Sequence, residues 1–484
     1  MSLSTALSIA QSALMNTARQ TSVVTRNISD ASSPDYTRRI AAVTSMAPGA
    51  RSVDIQRVSN DLLFRQNLGA LSAWSGQSTL YSGMDQLDVS VNGVDNASSP
   101  STAIGNLQQA LQLYATSPSN QNLGASVIDA AKQVVRSLNE GSRAIQDFRT
   151  QTDGQIATAV SDLNSLLSQF QDANQAVISG TRSGTDVSDA LDQRDALLKK
   201  ISDYVPISTF TRGDNDMVIT TGDGTTLFET IPRAVSFTPS AGYTAGVGGN
   251  AVYIDNVPIS AGIGGNTSAS GKLAGLLQLR DDIASTMQSQ LDETARGLIT
   301  AFAETAPSNP DAAGLFTWSG APAVPAAGTL VDGLAATISV NAAMDPGTGG
   351  NAALLRDGGA NGAAYIANTS GGPSYSSLLI AYGDRLDQPM TFDPAAGISA
   401  TSSIADYAAN SIGWFQGVRQ QVSTAADAKE ALASRSAEAL SNATGVNVDQ
   451  EMSLMLDLEH TYQASARMMK TVDDMMTALL NAVG

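Results

Sequence analysis

The chain has 484 residues, with 27 Lys and Arg against 45 Asp and Glu and a formal net charge of −18. That balance excludes nucleic acid as a partner, because phosphate binding needs clustered cations, and the length predicts two to four compact units with their own cores. With no Cys and one His, the composition excludes disulfides, thiolate metal sites and a Cys nucleophile, and leaves His460 alone for any Ser/His/Asp triad.

The first residues, 1–18, hold no Lys or Arg, so the charged start of a secretory signal is missing. No apolar run is long enough to span a bilayer, so no membrane insertion is expected. The chain is read as cytoplasmic, or as exported by a route that leaves its N-terminus intact.

The N-terminal segment predicts an amphipathic helix. Leu3, Leu7, Ala10, Leu14, Thr17, Thr21, Val24 and Ile28 alternate spacings of four and three, a heptad seam. The C-terminal segment repeats the pattern at Met455, Leu458, Tyr462, Ser465, Met469, Val472, Met476, Leu479 and Val483. Each helix could pack on its own domain. Two observations favour pairing of the two ends instead. Both seams lie where chains usually fray, and their charges are opposite, five Arg with two Asp over 1–51 and six acids with two bases over 446–484. Ala10, Thr17, Thr21 and Ser465 bury little apolar area, so each seam should be marginal without a partner.

Residues 60–203 predict long helices broken by Ser/Pro/Asn turns near 96–102 and 117–122. Residues 205–262 change to period two, with strands at Val205, Ile207, Met217–Thr220 and Thr226–Phe228 and a hairpin turn at Thr221-Gly222-Asp223-Gly224. Helix resumes over 272–304. A second Gly/Ala/Pro-rich stretch, about 306–400, offers strand pieces at Ile338–Val340 and Met390–Phe392. Helix then runs from Ile404 to the end, apart from a break near Gly445. The predicted fold is α+β and multidomain, built from discontinuous segments. A terminal coiled-coil-like domain takes 1–50 and 441–484. A long helical-bundle middle domain takes 51–205, 271–304 and 404–440. β-Rich outer insertions take 206–270 and 305–403.

No enzyme signature survives inspection, and no cofactor is expected. Ser270-Gly271-Lys272 follows a Gly-rich run, but Leu273 stands where a P-loop needs Ser or Thr, and Asn266 replaces its leading Gly. His460 falls off the seam and reads as a solvated helix-surface residue. Asp214, Asp216 and Asp223 lack calcium-loop spacing. The charged run Asp192-Gln193-Arg194-Asp195 is the oddest, because Arg194 falls on the stripe Val187, Leu191, Leu198, Ile201. The ordinary reading is a partly buried Arg paired to a carboxylate within its domain; the alternative is an Arg that reaches a neighbouring subunit.

Four motifs carry a resemblance. Asn27-Ile28-Ser29-Asp30-Ala31-Ser32-Ser33-Pro34-Asp35-Tyr36-Thr37-Arg38-Arg39 resembles the Asn…Pro-Gly-Tyr-x-Arg signature of rod, hook and junction proteins, with Asp35 in place of the usual Gly. Thr444 to Glu451, followed by Tyr462 to Arg467, is similar to the C-terminal motif of the same axial proteins. Asp192-Gln193-Arg194-Asp195-Ala196-Leu197-Leu198 and Ser270 to Asp281 are similar to segments of one member, the bacterial flagellar hook-associated protein 1 (FlgK) family. The two ends and the helical middle carry the likeness; the β-rich stretches match loosely.

The resemblance implies a structural junction between hook and filament, with no catalysis. It implies export by the flagellar type III system without a cleaved signal and an extracellular place on the flagellum. The implied partners are further copies of the chain in a ring-like or helical layer, hook protein below, a second junction protein above, and an export chaperone at the C-terminal helix. The alternatives are another axial protein, such as a hook or distal rod protein, or a secreted surface adhesin or enzyme.

Overall fold

The computed structural model describes residues 3–46, 50–267 and 270–483. The chain opens with helix α1 (Leu3–Asp30) and a hairpin, β1 (Arg39–Met46) and β2 (Ala50–Arg57). Helices α2 (Asp61–Asn92), α3 (Pro100–Thr116), α4 (Gln121–Ser183) and α5 (Ser188–Tyr204) follow. Two three-stranded antiparallel sheets come next, β3 (Ile207–Thr211), β4 (Met217–Thr221) and β5 (Thr226–Phe228), then β6 (Val235–Ser236), β7 (Tyr253–Ile254) and β8 (Val257–Pro258). Helix α6 (Lys272–Gln278) passes through a π turn at Leu279–Ile283 into α7 (Ala284–Ala301).

Outer strands β9 (Glu304–Ala306), β10 (Asn309–Ala312) and β11 (Phe316–Thr317) precede α8 (Leu334–Thr337) in the chain, and β12 (Ser339–Val340) follows it. Helices α9 (Leu354–Asp357) and α10 (Ser377–Asp387) and strands β13 (Met390–Thr391) and β14 (Thr401–Ser402) lead into α11 (Ile404–Thr444) and α12 (Val448–Val483).

Local chemistry sets the helix limits. Asn60, Ser99, Asn120 and Ser403 cap α2, α3, α4 and α11 by accepting a backbone N–H from their first turns. Gly184 ends α4 with φ 68°, a left-handed conformation that Gly adopts freely. At 63 residues, α4 is about 95 Å long and serves both apolar cores. Its first half packs Val127, Val134, Leu138 and Ile145 with α2, α3, α7, α11 and the outer region. Its second half packs Ile156, Leu163, Leu167 and Phe170 with α5, α6 and the two three-stranded sheets.

A buried polar cluster links the two. Arg280, carried on the π turn, donates to Asp153 Oδ1 (2.5 Å) and to the Asn250 carbonyl (2.7 Å), and Tyr243 Oη donates to the same Asp153 oxygen (2.7 Å). Arg149 donates to the carbonyls of Thr244 and Val247. These side chains pin the Gly-rich stretch around 243–250 onto the bundle.

Three findings differ from the expectations. The hairpin β1–β2 was not anticipated, and the boundary drawn between residues 50 and 51 falls inside it; the alternation around Ile40, Val43 and Ile55 is too short and too mixed to stand out. The second outer stretch holds α8, α9 and α10 as well as strands, and Leu379, Tyr382 and Leu386 form a buried helical stripe hidden by Gly/Pro-rich flanks. The stretch 237–267 has strands of only two residues, because it lacks β-branched runs and depends on side-chain bonds instead.

Helices α1 and α12 pair antiparallel, with Asn27 near the end of one meeting Glu451 near the start of the other. The buried positions include Ala10, Asn16, Thr17, Val23, Val24 and Asn27 on α1 and Glu451, Leu458, Ser465 and Val472 on α12. Among the described residues, neither apolar core includes one from α1, the hairpin or α12. Among the described residues no helix is long and apolar enough to cross a membrane.

Candidate functional site

The motif residues meet where the terminal helix pair joins the middle bundle. Asn27 is its hub and is fully buried. Its Nδ2 donates to the Arg39 carbonyl (2.9 Å) and to Glu451 Oε2 (3.0 Å); its Oδ1 accepts from Tyr36 Oη (2.8 Å) and the Arg39 N–H (3.1 Å). All four hydrogen-bonding positions of the amide are thus filled, and neither Asp nor Leu offers that set. Arg38 Nε donates to Glu451 Oε1 (2.7 Å), and the Arg38 N–H to the Thr444 carbonyl (2.9 Å). The N-terminal and C-terminal motifs therefore form one bonded unit.

Across the joint, α5 presents Asp189, Asp192 and Asp195 at successive three-residue steps, so the carboxylates share a face. Arg39 and Arg57 stand directly opposite each other in the hairpin register. Like charges so placed repel, and the α5 carboxylates offset this. Arg39 bonds Asp189 and Asp192; Arg57 bonds Asp192 (2.7 Å) and Asp195 (2.5 Å); Arg26 bonds Asp189 (2.6 Å). Burial pulls the Asp189 carboxyl up, but hydrogen bonds from Arg26 and Arg39 outweigh it and hold the group below its ordinary value. Burial wins at Asp195 and pushes its carboxyl up despite Arg57. Lys199 pairs with Asp35 (3.1 Å), and Asp35 lies outside the left-handed region, so this turn does not require the Gly usual there.

Arg194 lies inside the domain. It donates to Asn174 Oδ1 (3.2 Å) and the Asn215 carbonyl (2.7 Å), so its partners are an amide and a carbonyl, not the carboxylate expected. Burial lowers its pKa. Pro34 and Gln193 are exposed. A cavity of about 1250 Å³ opens beside the joint, between the 31–37 turn, the start of α2, α5, β3 and the end of α11.

The seam positions divide. Val24, Leu458 and Val472 are buried in the helix pair; Leu7, Leu14, Ile28, Met455 and Met469 are half-buried; Tyr462, Met476 and Leu479 are exposed. The side chains of Leu3 and Val483 lie outside the described residues. His460 is exposed, and among the described residues no group of His, Cys, Asp or Glu could hold a metal ion. Sequence reasoning missed Arg57, Asp189 and Lys199. The three-residue spacing of the α5 acids was the signal for the stripe, and Glu451, seven residues before Leu458, was an acid in an apolar register.

The joint brings together the two end motifs of axial proteins and the Asp192 motif of one member, and comparison with known proteins agrees. Residues 84–315 match the flagellar hook-associated protein FlgK helical domain, and residues 439–482 match the flagellar basal body rod FlgEFG protein C-terminal family. The chain is similar to the flagellar hook-associated protein FlgK family, in its helical middle and along its length. It is 23% identical to flagellar hook-associated protein 1 of Bacillus subtilis, over 99% of this chain and 97% of that protein. It is 22% identical to the Salmonella typhimurium protein of the same name, over 58% of this chain and 52% of that protein. The solved flagellar hook junction protein FlgK of Burkholderia pseudomallei shares the fold, with a TM-score of 0.57 at 14% identity, over 78% of this chain and 99% of that one.

Proposed function

We infer that this chain is a structural component of the bacterial flagellum that joins hook to filament. The observation that carries this is the end-to-end likeness to a hook-associated protein 1, including both terminal motifs that meet at the joint. In this reading the chain is exported unfolded by the type III route and assembles outside the cell as a layer of copies. Hook protein lies below the layer and a second junction protein above.

The terminal unit, α1 and α12 with the hairpin added, is the assembly element; the middle bundle and outer insertions face outward. Support comes from α12, which exposes Met452, Leu456, Tyr462, Met468, Met475, Leu479 and Leu480 in the single chain. Such a face gains stability by mass action once covered. Before assembly the same flexible, Met-rich face suits an export chaperone.

Immunogold labelling of isolated flagella tests the role. The expected result is one thin band between hook and filament. Label along a continuous tube would favour a hook or rod protein, and label on the cell surface away from flagella would favour an adhesin.

A further inference from the structure

The terminal unit is tied to the middle bundle by two chain crossings, 58–60 between β2 and α2 and 445–447 between α11 and α12. Among the described residues no apolar core spans the boundary. The side-chain bonds that do span it, among those at the joint, are ionic: Arg26, Arg39 and Arg57 on the α5 acids, and Asp35 on Lys199. Beside them lies the open cleft, with Pro34 and Tyr36 on one wall and Phe64, Phe210 and Leu440 on others.

We propose that this joint is an ionic hinge. The arginines on the α5 stripe latch one angle of the terminal helix pair. The two crossings are the pivots, and the cleft is the clearance into which the pair swings when the latch opens. Apolar packing would weld the boundary, since interdigitated side chains lose contact on any shift and hold at any salt. Hydrogen-bonded ion pairs behave otherwise, because their strength depends on contact geometry and is screened by salt.

Two features fit a latch rather than a weld. Asp189 keeps 67% of its side chain exposed, so solvent and salt reach its pair with Arg26, while the pairs of Arg57 with Asp192 and Asp195 are more enclosed. Arg39 is buried, yet its Nε and Nη1 find no acceptor among the described residues, so the latched setting leaves part of this guanidinium unmatched. The hinge is a property of the free chain and stands whether or not the flagellar reading does. It would let one sequence meet neighbours set at different angles.

The chain lacks Cys, so spin labels on Ser22→Cys in α1 and Ser168→Cys in α4 report the angle by pulsed dipolar distance measurement. At about 25 mM salt one narrow distance is expected, and a second population should grow about threefold or more by about 1 M salt. Asp192→Asn with Asp195→Asn should show that second population already at low salt. Circular dichroism on the same samples should show unchanged helix content.

A narrow distance at every salt and in the variant would overturn the hinge in favour of a weld. Equal breadth at low salt with and without the acids would overturn the latch. Broadening that tracks loss of helix would mean melting, and overturn both. Should the variant fail to fold, the salt series on the chain with its acids intact decides alone.

Discussion

The terminal helix pair and the middle bundle use the same element and bury different things. In α4 the inward positions include Val127, Val134, Leu138, Leu163, Leu167 and Phe170, each fully buried, among smaller ones such as Ala131, Gly141 and Ala159. In the terminal pair the inward positions include Ala10, Asn16, Thr17, Val23 and Val24 against Leu458, Ser465 and Val472. Large apolar side chains contribute about 1.5–3 kcal/mol each on burial, and small or hydroxylated ones far less. The bundle is therefore stable by its own composition. The pair is a thin seam, fastened at one end by Asn27 and Glu451, with apolar surface left on the outside of α12. Length and heptad periodicity do not distinguish these two kinds of helix; the size of the inward residues does.

The contrast is broken most readily in the bundle. Leu198 is fully buried in the second core. Leu198→Asp should remove about 4 kcal/mol or more, by losing the apolar contact and burying an unpaired carboxylate, and thermal melts of the free chain should show it. Removal of a buried ionic partner comes next. Arg280→Met strands Asp153 inside the fold, where such a loss costs about 3–5 kcal/mol. Arg57→Met at the joint leaves two partly buried acids, one of them still paired to Arg39, and should cost less, about 1–3 kcal/mol. Equal melting shifts for the two variants would mean that the joint is as much a core as the bundle.

This contrast was partly legible in the sequence. The heptad seams at both ends, the helical middle and its return over 272–301 and 404–444 follow from apolar period and from Asn/Ser caps. That Asn27 and Glu451 lie 424 residues apart and bond is a tertiary fact, invisible to local pattern. The α5 acids were visible as a charged cluster around Arg194, but periodicity alone could not say that they meet Arg39 and Arg57 rather than Arg194. The outer stretch was least legible. There Glu304 accepts from the N–H groups of Ala360 and Asn361, and bonds of this kind replace the long strands a periodic reading looks for.

A smaller effect separates the regions by pH. Burial raises the Asp292 carboxyl to about 6, even though Gln288 and the N–H groups of Gly333 and Ala335 donate to it. The folded chain therefore holds this proton more tightly than the unfolded one, whose Asp titrates near its ordinary value of about 3.9. Stability from this group is full in acid and is lost as pH rises from about 4 to about 6, by about 2–3 kcal/mol. Denaturant midpoints for the native chain and Asp292→Asn at about pH 5 and about pH 7 should differ in slope, with the variant flatter. Parallel slopes would show that the three donors hold the carboxylate ionised after all.

The smallest change in the free chain should have the largest consequence for assembly. Leu14 is half-buried in the terminal pair and Leu479 is 54% exposed beyond it. Leu14→Asp and Leu479→Asp each place a carboxylate where the single chain leaves room for water. The melting of the monomer should move by about 0.5–1 kcal/mol or less, as at other surface positions. In a packed layer the same carboxylate must give up water without a partner or take up a proton, which costs several-fold more, about 2–5 kcal/mol. That cost recurs in every copy of the layer, so modest destabilisation per subunit becomes failure of the whole. Introduced in place of the native chain in a flagellated cell, both variants should leave hooks without filaments and flagellin in the medium, while Arg19→Ala, on the open side of α1, should assemble. Two results would sink this. If either variant melts the monomer as Leu198→Asp does, the terminal seam belongs to the chain's own core; if both assemble, the outer face of the pair is not where copies meet.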